Sequence, residues 1–362
     1  MAGTNQFNSL AGNGSLLNTE SGIAPNASRQ RIQYIDVARG IAIISIILGH
    51  SGVIYKTVYT FDIPIFFMIT GFFIDENDSF LHFIKRKFQT LIVPYYIVCT
   101  IVILFAMLIG FFTDGDPLTP GKKWLEAALY GSGSSWISPF LIIGIGPVWF
   151  LWAAFFSAII VKLLLNTNYV LRILTVVSVF VIGYQTSNSV WLPLSLQAGL
   201  CSVLYVYLGY LLNKEKHLIN KLNIETKIIC ILILMAVWIS FILSFEGFWF
   251  VTCDFGKGPI DIFSSICACL SVIVISYFID RYLGKVSGIL SFIGKNSIFI
   301  LCIHAIEFDL LPGRFLLGQL LPSLNSKMLT LVFVLCEITV DITLALTLSR
   351  IRIVRKAFGL KK

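Results

Sequence analysis

Charge is what this chain has least of. Lys, Arg, Asp and Glu supply 13% of its 362 residues, and hydrophobic residues 57%. A soluble domain carries about 25% and about 45–50%. The apolar excess recurs along the whole length, which excludes a single buried core. An all-α polytopic integral membrane protein with one membrane domain is expected. A cleavable signal peptide is also missing: residues 1–33 are polar and no apolar run precedes Tyr34. That stretch is expected to be a disordered tail, with the first span an uncleaved anchor. The eight cysteines include no CxxC pair and no metal-ligand spacing, so no metal is expected. Seven of them lie in or beside apolar segments and read as small hydrophobes; Cys253 reads as a loop residue. No internal repeat and no appended soluble catalytic domain is visible. The net charge of +8 follows the loops, so nucleic acid is not an expected partner.

What is there is a series of apolar runs. A span needs about 20 mostly apolar residues. About ten are expected: 35–55, 61–75 (a short one), 91–113, 147–166, 170–187, 190–212, 227–246, 260–279, 288–309 and 327–349. With the N-terminus inside, cations such as Lys85, Arg86, Lys87, Lys162, Lys214 and Lys295 fall on inner loops. The outer side keeps few, among them Lys56, Lys122, Lys123 and Lys257. That bias predicts both termini in the cytoplasm. The membrane domain is then 34–350, and 351–362 a basic cytoplasmic tail. One long outer connection, about 113–146, is read either as a cover for a site or as a loose link.

Ionisable groups inside spans are costly and therefore candidates for function. Arg39 and His50 are eleven residues apart. On a helix that is about 16 Å and just over three turns, so both point nearly the same way. Arg39 would sit near the inner surface and His50 beyond the midplane. Snorkelling to headgroups, or pairing with Asp36, explains Arg39 equally well. A hydrogen bond fastening two helices is the bland alternative for His50. Other groups are expected at the depth of His50. Asp62 opens the second span after a short turn, where a carboxylate beside an imidazole would fix its tautomer. His304 lies nine residues beyond Lys295 on another inward-entering span, with Glu307 and Asp309 just after it. Glu307 could also bond locally to His304. Trp149 and Trp152 follow a Gly-Pro break and either line a cavity or belong to an interfacial belt.

Five stretches resemble the membrane-bound acyltransferase family 3, especially its branch related to fucose 4-O-acetylases and nodulation acetyltransferases. They are "YIDVARGIAIISIILGHSG", "FDIPIFFMITGFF", "KRKFQTLIVPYY", "GPVWFLWAAF" and "IGKNSIFILCIH", in family order from residue 34 to 304. Asp62 stands where the branch often has His, and Thr70 where it often has Ser. The resemblance implies transfer of an acyl group, usually acetyl, from acetyl-CoA to a sugar hydroxyl. The acceptor would be a bacterial surface polysaccharide or its lipid-linked precursor. It implies a multi-pass protein of the bacterial cytoplasmic membrane, with polysaccharide biosynthesis machinery as further partners. The chain resembles the stand-alone type, without an SGNH hydrolase-like domain.

The two readings join in one scheme. Arg39, with Lys85, Arg86 and Lys87 at the inner mouth, would hold the phosphates of the donor through charge-assisted bonds. The pantetheine arm would bring the thioester to His50 as general base. Asp62 would orient His50, and His304 would support the developing oxyanion or hold the acceptor. Trp149 and Glu307 would touch substrate. An acetyl-His50 intermediate is equally compatible. The rivals are a carbohydrate transporter or flippase without covalent chemistry, and a sensor or scaffold on the same fold.

Overall fold

The computed structural model describes residues 32–136, 140–310 and 313–358. Nearly all of the expected N-terminal tail, and residues 359–362 of the expected C-terminal tail, lie outside them. Among the described residues the chain is helical, with only isolated bridges between Trp136 and Ile142 and between Trp249 and Asp254. Seven helices are long and apolar enough to cross a membrane, or up to eight if one bent pair counts as a span. The chain is an all-α multi-pass membrane protein.

Each expected span falls on a helix, but three differ in form. The first helix (Gln33–His50) carries Asp36, Arg39 and His50, and it is not among the seven. The second (Asp62–Phe72) has 11 residues, a rise of about 16 Å, half of a hydrocarbon core of about 30 Å. The expected single span 288–309 is two helices, Gly284–Lys295 and Ser297–Leu310, bent by 65° at Asn296. The apolar run hid that break, because Asn interrupts helical hydrogen bonding without interrupting hydropathy on average.

Sequence chemistry explains the local ends. Asn168, Asn223 and Asn325 each cap the following helix, their side chains accepting from the backbone N–H three residues on. Pro94 cannot donate a backbone N–H. Just before it the run beginning at Phe80 makes a π-helical turn over Phe88–Ile92.

Small residues let the core helices approach closely, as lipid-embedded helices require. A Cβ on Gly294 would overlap the Asp36 carbonyl, and one on Gly40 the Leu290 carbonyl. This pins the first helix along Gly284–Lys295. Gly71 against the Val206 carbonyl and Gly209 against the Met68 carbonyl do the same for Asp62–Phe72 and Leu196–Lys214. The short second helix is thus held against the longer Leu196–Lys214, and the first against Gly284–Lys295.

The described part of the connection 113–146 contains the helix Leu118–Tyr130, and Tyr130 donates its hydroxyl to the Trp191 carbonyl. Trp136 then stacks on Trp191, ring centroids 5.0 Å apart. The tail 351–362 contains the helix Arg352–Ala357, and Phe358 packs on Phe299 at 4.7 Å.

Candidate functional site

The first helix ends where its hydrogen bonding runs out, at His50, and Gly52 (φ 75°) turns the chain. The Tyr59 hydroxyl donates to the Gly49 carbonyl at 2.9 Å and fastens that turn. His50 Nδ1 lies 2.9 Å from His304 Nε2, with the ring planes within 8°. The two histidines expected at one depth are therefore in direct hydrogen bond. His304 is fully buried, and its Nδ1 lies 3.1 Å from Asp341 Oδ2 and 3.6 Å from Glu337 Oε1. Ser51, next to His50, donates to Glu337 Oε2 at 2.6 Å. Glu307, one helical turn beyond His304, lies on the same helix face as His304.

Glu337 and Asp341 belong to the last long helix, Ser326–Leu348. Four residues apart, they share a face, and that face meets Ser297–Leu310 and the end of the first helix. Sequence reasoning missed both. The signal was present in "LCEITVDITL": two acids inside an apolar span, the same anomaly that singled out Arg39 and His50.

This chain of groups fixes its own protons. A carboxylate only accepts, so His304 Nδ1 donates to Asp341. The other nitrogen of neutral His304 then accepts from His50 Nδ1–H. The Nε2 of His50 is left with its lone pair, and the accessible surface of His50 faces a cavity. The tautomer follows from the hydrogen-bond partners.

The cavity measures about 190 Å³. Phe308 covers one side, its ring 5.1 Å from that of His50. Trp149, after the Gly146–Pro147 turn, forms another wall, and the segment Phe248–Val251 a third. Gly146 has φ 65°, and a Cβ there would meet the Asp309 carboxylate at 2.5 Å. That position requires glycine. Trp152 is not part of the cavity wall and stacks on Phe156 at 5.4 Å. The aromatic connection "FEGFWFV" was not singled out in the sequence; a dense aromatic run between two spans was the available sign.

Asp62 lines this cavity and is buried, one oxygen accepting from the Ile63 N–H at 2.7 Å. It does not take the orienting position expected of it. His304 occupies the Nδ1 side of His50, because the turn at 51–61 brings Asp62 to the cavity wall rather than behind the ring. Glu307 is not among the residues lining the cavity; it lies one turn beyond His304 on the same helix.

The cations lie at the opposite end of the first helix. Arg39, 28% exposed in its side chain, pairs with Asp36 at 3.1 Å and lies 5.0 Å over the Phe73 ring. The loop after Phe73 leads to Asp78, which pairs with Arg86 at 2.7 Å. Burial works against the Asp78 charge, but His82 and Arg86 together hold its carboxyl below the ordinary value. Lys85 is exposed, and Lys87 lies 5.6 Å over the Phe83 ring. Lys162, buried nearby, donates to the carbonyls of Asp75 and Glu76 at 2.7 and 2.8 Å. Among the described residues no group of three or more His, Cys, Asp and Glu is placed to hold a metal ion.

With this geometry in view, the comparisons with known proteins are specific. Residues 32–348 match the family model described as "Acyltransferase domain". The chain is also 26% identical over 164 residues to the nodulation protein NolL of Mesorhizobium japonicum. The match covers 41% of this chain and 39% of that protein, so the chain spans about two-fifths of its curated relative. No solved structure matches.

Proposed function

The chain belongs to the acyltransferase domain family, and on that premise we propose that it transfers an acetyl group from acetyl-CoA to a carbohydrate hydroxyl. The observation that carries this reading is the hydrogen-bonded series His50–His304–Asp341, which presents one imidazole nitrogen to a cavity. Arg39 stands at the other end of the same helix, about 16 Å away. Family membership favours group transfer over transport.

The residues fit the donor in two respects. A cavity of about 190 Å³ is smaller than the roughly 300–1,000 Å³ of whole-ligand pockets. It suits the reacting ends of two substrates, not an entire coenzyme. The anionic part then needs a separate cationic place. Arg39, Lys85, Arg86 and Lys87 offer one, Arg39 and Arg86 each already steadied by an acid. Exchanging a carboxylate for a phosphate on Arg keeps the charge-assisted bonds.

In this scheme the donor supplies a thioester carbonyl. His50 Nε2 takes the proton of the acceptor hydroxyl as that oxygen attacks, and returns it to the departing thiolate. His304 holds His50 through Nδ1. Asp62 is placed to accept from a neighbouring hydroxyl of the acceptor, and Trp149 to stack on an apolar sugar face. Attack by His50 itself, giving an acetyl-imidazole, uses the same geometry. The acceptor would be a surface polysaccharide or its lipid-linked precursor, the setting the bacterial cytoplasmic membrane, and polysaccharide-building enzymes the neighbours.

The direct assay is radiolabelled acetyl-CoA given to membranes containing the protein. Alkali-labile label on a glycan or glycolipid is expected, and Arg39→Gln should need more acetyl-CoA for the same rate. Absence of label from every membrane acceptor, with glycan export impaired instead, would overturn the proposal.

A further inference from the structure

Of the acids behind His304, Glu307 has no role in the transfer scheme, yet with Asp341 it carries an unresolved hydrogen-bond problem. Glu307 Oε2 and Asp341 Oδ1 are both buried and have no partner in the hydrogen-bond network. Glu307 stands one turn beyond His304 on the same helix face, and His304 Nδ1 lies 3.1 Å from Asp341 Oδ2 on another helix, so both carboxyl groups meet beside His304. Two carboxylates in contact offer acceptors only. Like charges packed together inside a span are strongly unfavourable. One proton between the facing oxygens removes both difficulties. Its owner follows from the far side of Asp341: Oδ2 receives His304 Nδ1–H at 3.1 Å, so Asp341 is the acceptor and Glu307 the donor.

We propose that Glu307 and Asp341 share one proton, and that this pair is the positioning device that keeps His304, and through it His50, in a single tautomer. Every titratable neighbour fits. Glu337 faces His304 from the same helix as Asp341 and is held by the Ser51 hydroxyl at 2.6 Å. His50 completes the set from the first helix. With Glu307 protonated, Asp341 and Glu337 both present a carboxylate oxygen to His304 Nδ1.

The use of this device in transfer rests on His50 being the base; the shared proton itself does not. When His50 Nε2 takes the hydroxyl proton, the Nδ1 proton moves to His304 Nε2 while His304 Nδ1–H stays on Asp341. The positive charge then lies between His50 and two acids. Both protons move back as His50 returns one to the thiolate. Thioester and alcohol give ester and thiol, with no net proton taken or lost.

Infrared difference spectroscopy on the purified full chain in detergent tests this without any acceptor. A protonated carboxyl has a carbonyl stretch well separated from the carboxylate bands. At neutral pH a buried band of that kind is expected, and it should shift when only glutamate is carboxyl-labelled with ¹³C. Glu307→Gln and Asp341→Asn should each abolish it, whereas Asp62→Asn should leave it in place. The labelled, unsubstituted protein keeps the test decisive if a variant folds poorly. A band indifferent to glutamate labelling, or one that persists in folded Glu307→Gln, would overturn the shared proton. If the band behaves as expected while Asp341→Asn transfers acetyl at the full rate, the proton is shared but the positioning role fails.

Discussion

His304 makes the clearest case at the scale of single residues. It has no surface and no access to the cavity, yet both its nitrogens are engaged, one by His50 and one by Asp341. In the proposed scheme it therefore acts on His50 and not on substrate. His304→Ala is expected to lower the transfer rate about 10²–10⁴-fold, the worth of a correctly poised general base. The Michaelis constant for acetyl-CoA should change little, because Arg39 is far away. Initial-rate kinetics in membranes check this, and a large rise in that constant with an unchanged rate would assign His304 to donor binding. The residue scale is also where sequence reading succeeded and failed most visibly. Arg39, His50, His304, Asp62 and Trp149 stood out because each breaks an apolar run or follows a turn. Depth along a helix was readable from residue count, so the meeting of His50 and His304 was expected. Orientation between helices was not readable. Asp62, placed on paper behind His50, stands at the cavity wall. Glu337 and Asp341 were missed although their spacing declared a shared face, since nothing in one chain says which helices are neighbours.

At the scale of elements, glycine contacts set the frame that holds these side chains. Gly294 meets the Asp36 carbonyl on the first helix, near the Arg39 end. Gly294→Leu must push that helix away, an overpacking cost of about 1–3 kcal/mol. A lower unfolding midpoint in detergent is expected, together with reduced transfer, because His50 rides on the displaced helix. An unchanged midpoint would mean that the crossing is looser than described. The loop between Asp62–Phe72 and Phe80–Lys87 gives a pH prediction. Hydrogen bonds from Lys214 and Tyr210 hold the Glu76 carboxyl below its ordinary value of 4.5. A lowered value stabilises the folded state above the ordinary one. That contribution is present at neutral pH and is lost as the pH falls below about 4.5. Glu76 is half exposed, so the effect is under about 1 kcal/mol. The melting difference between the parent and Glu76→Gln should therefore be small at pH 7 and vanish near pH 3. A difference that grows in acid would contradict the pairing. Element positions were legible from hydropathy, and every expected span is helical. The break at Asn296 and the helix Leu118–Tyr130 inside the 113–146 connection were not, because averaged hydropathy records how apolar a run is and not how it bends.

The whole molecule separates its functions along one axis. Arg39 stands eleven residues before His50 on a helix of 18 residues, and His50 with Asp62 lines the aromatic cavity. The proposed scheme assigns an anionic donor with a long flexible arm to Arg39 and a hydroxyl acceptor to the cavity. Arg39→Gln should raise the Michaelis constant for acetyl-CoA about tenfold, the loss of roughly 1.4 kcal/mol from one charge-assisted contact. The acetylation rate at saturation should be nearly preserved, and a collapse of that rate instead would place Arg39 at the reacting centre. The central claim is that His50 drives acetylation of a cell-surface carbohydrate. The measurement that tests it most directly is proton NMR of surface glycans, before and after mild alkali, from cells with the protein, without it, and with His50→Ala. The account predicts an alkali-labile O-acetyl signal that needs both the protein and His50. An O-acetyl signal of full strength in the His50→Ala cells would contradict it.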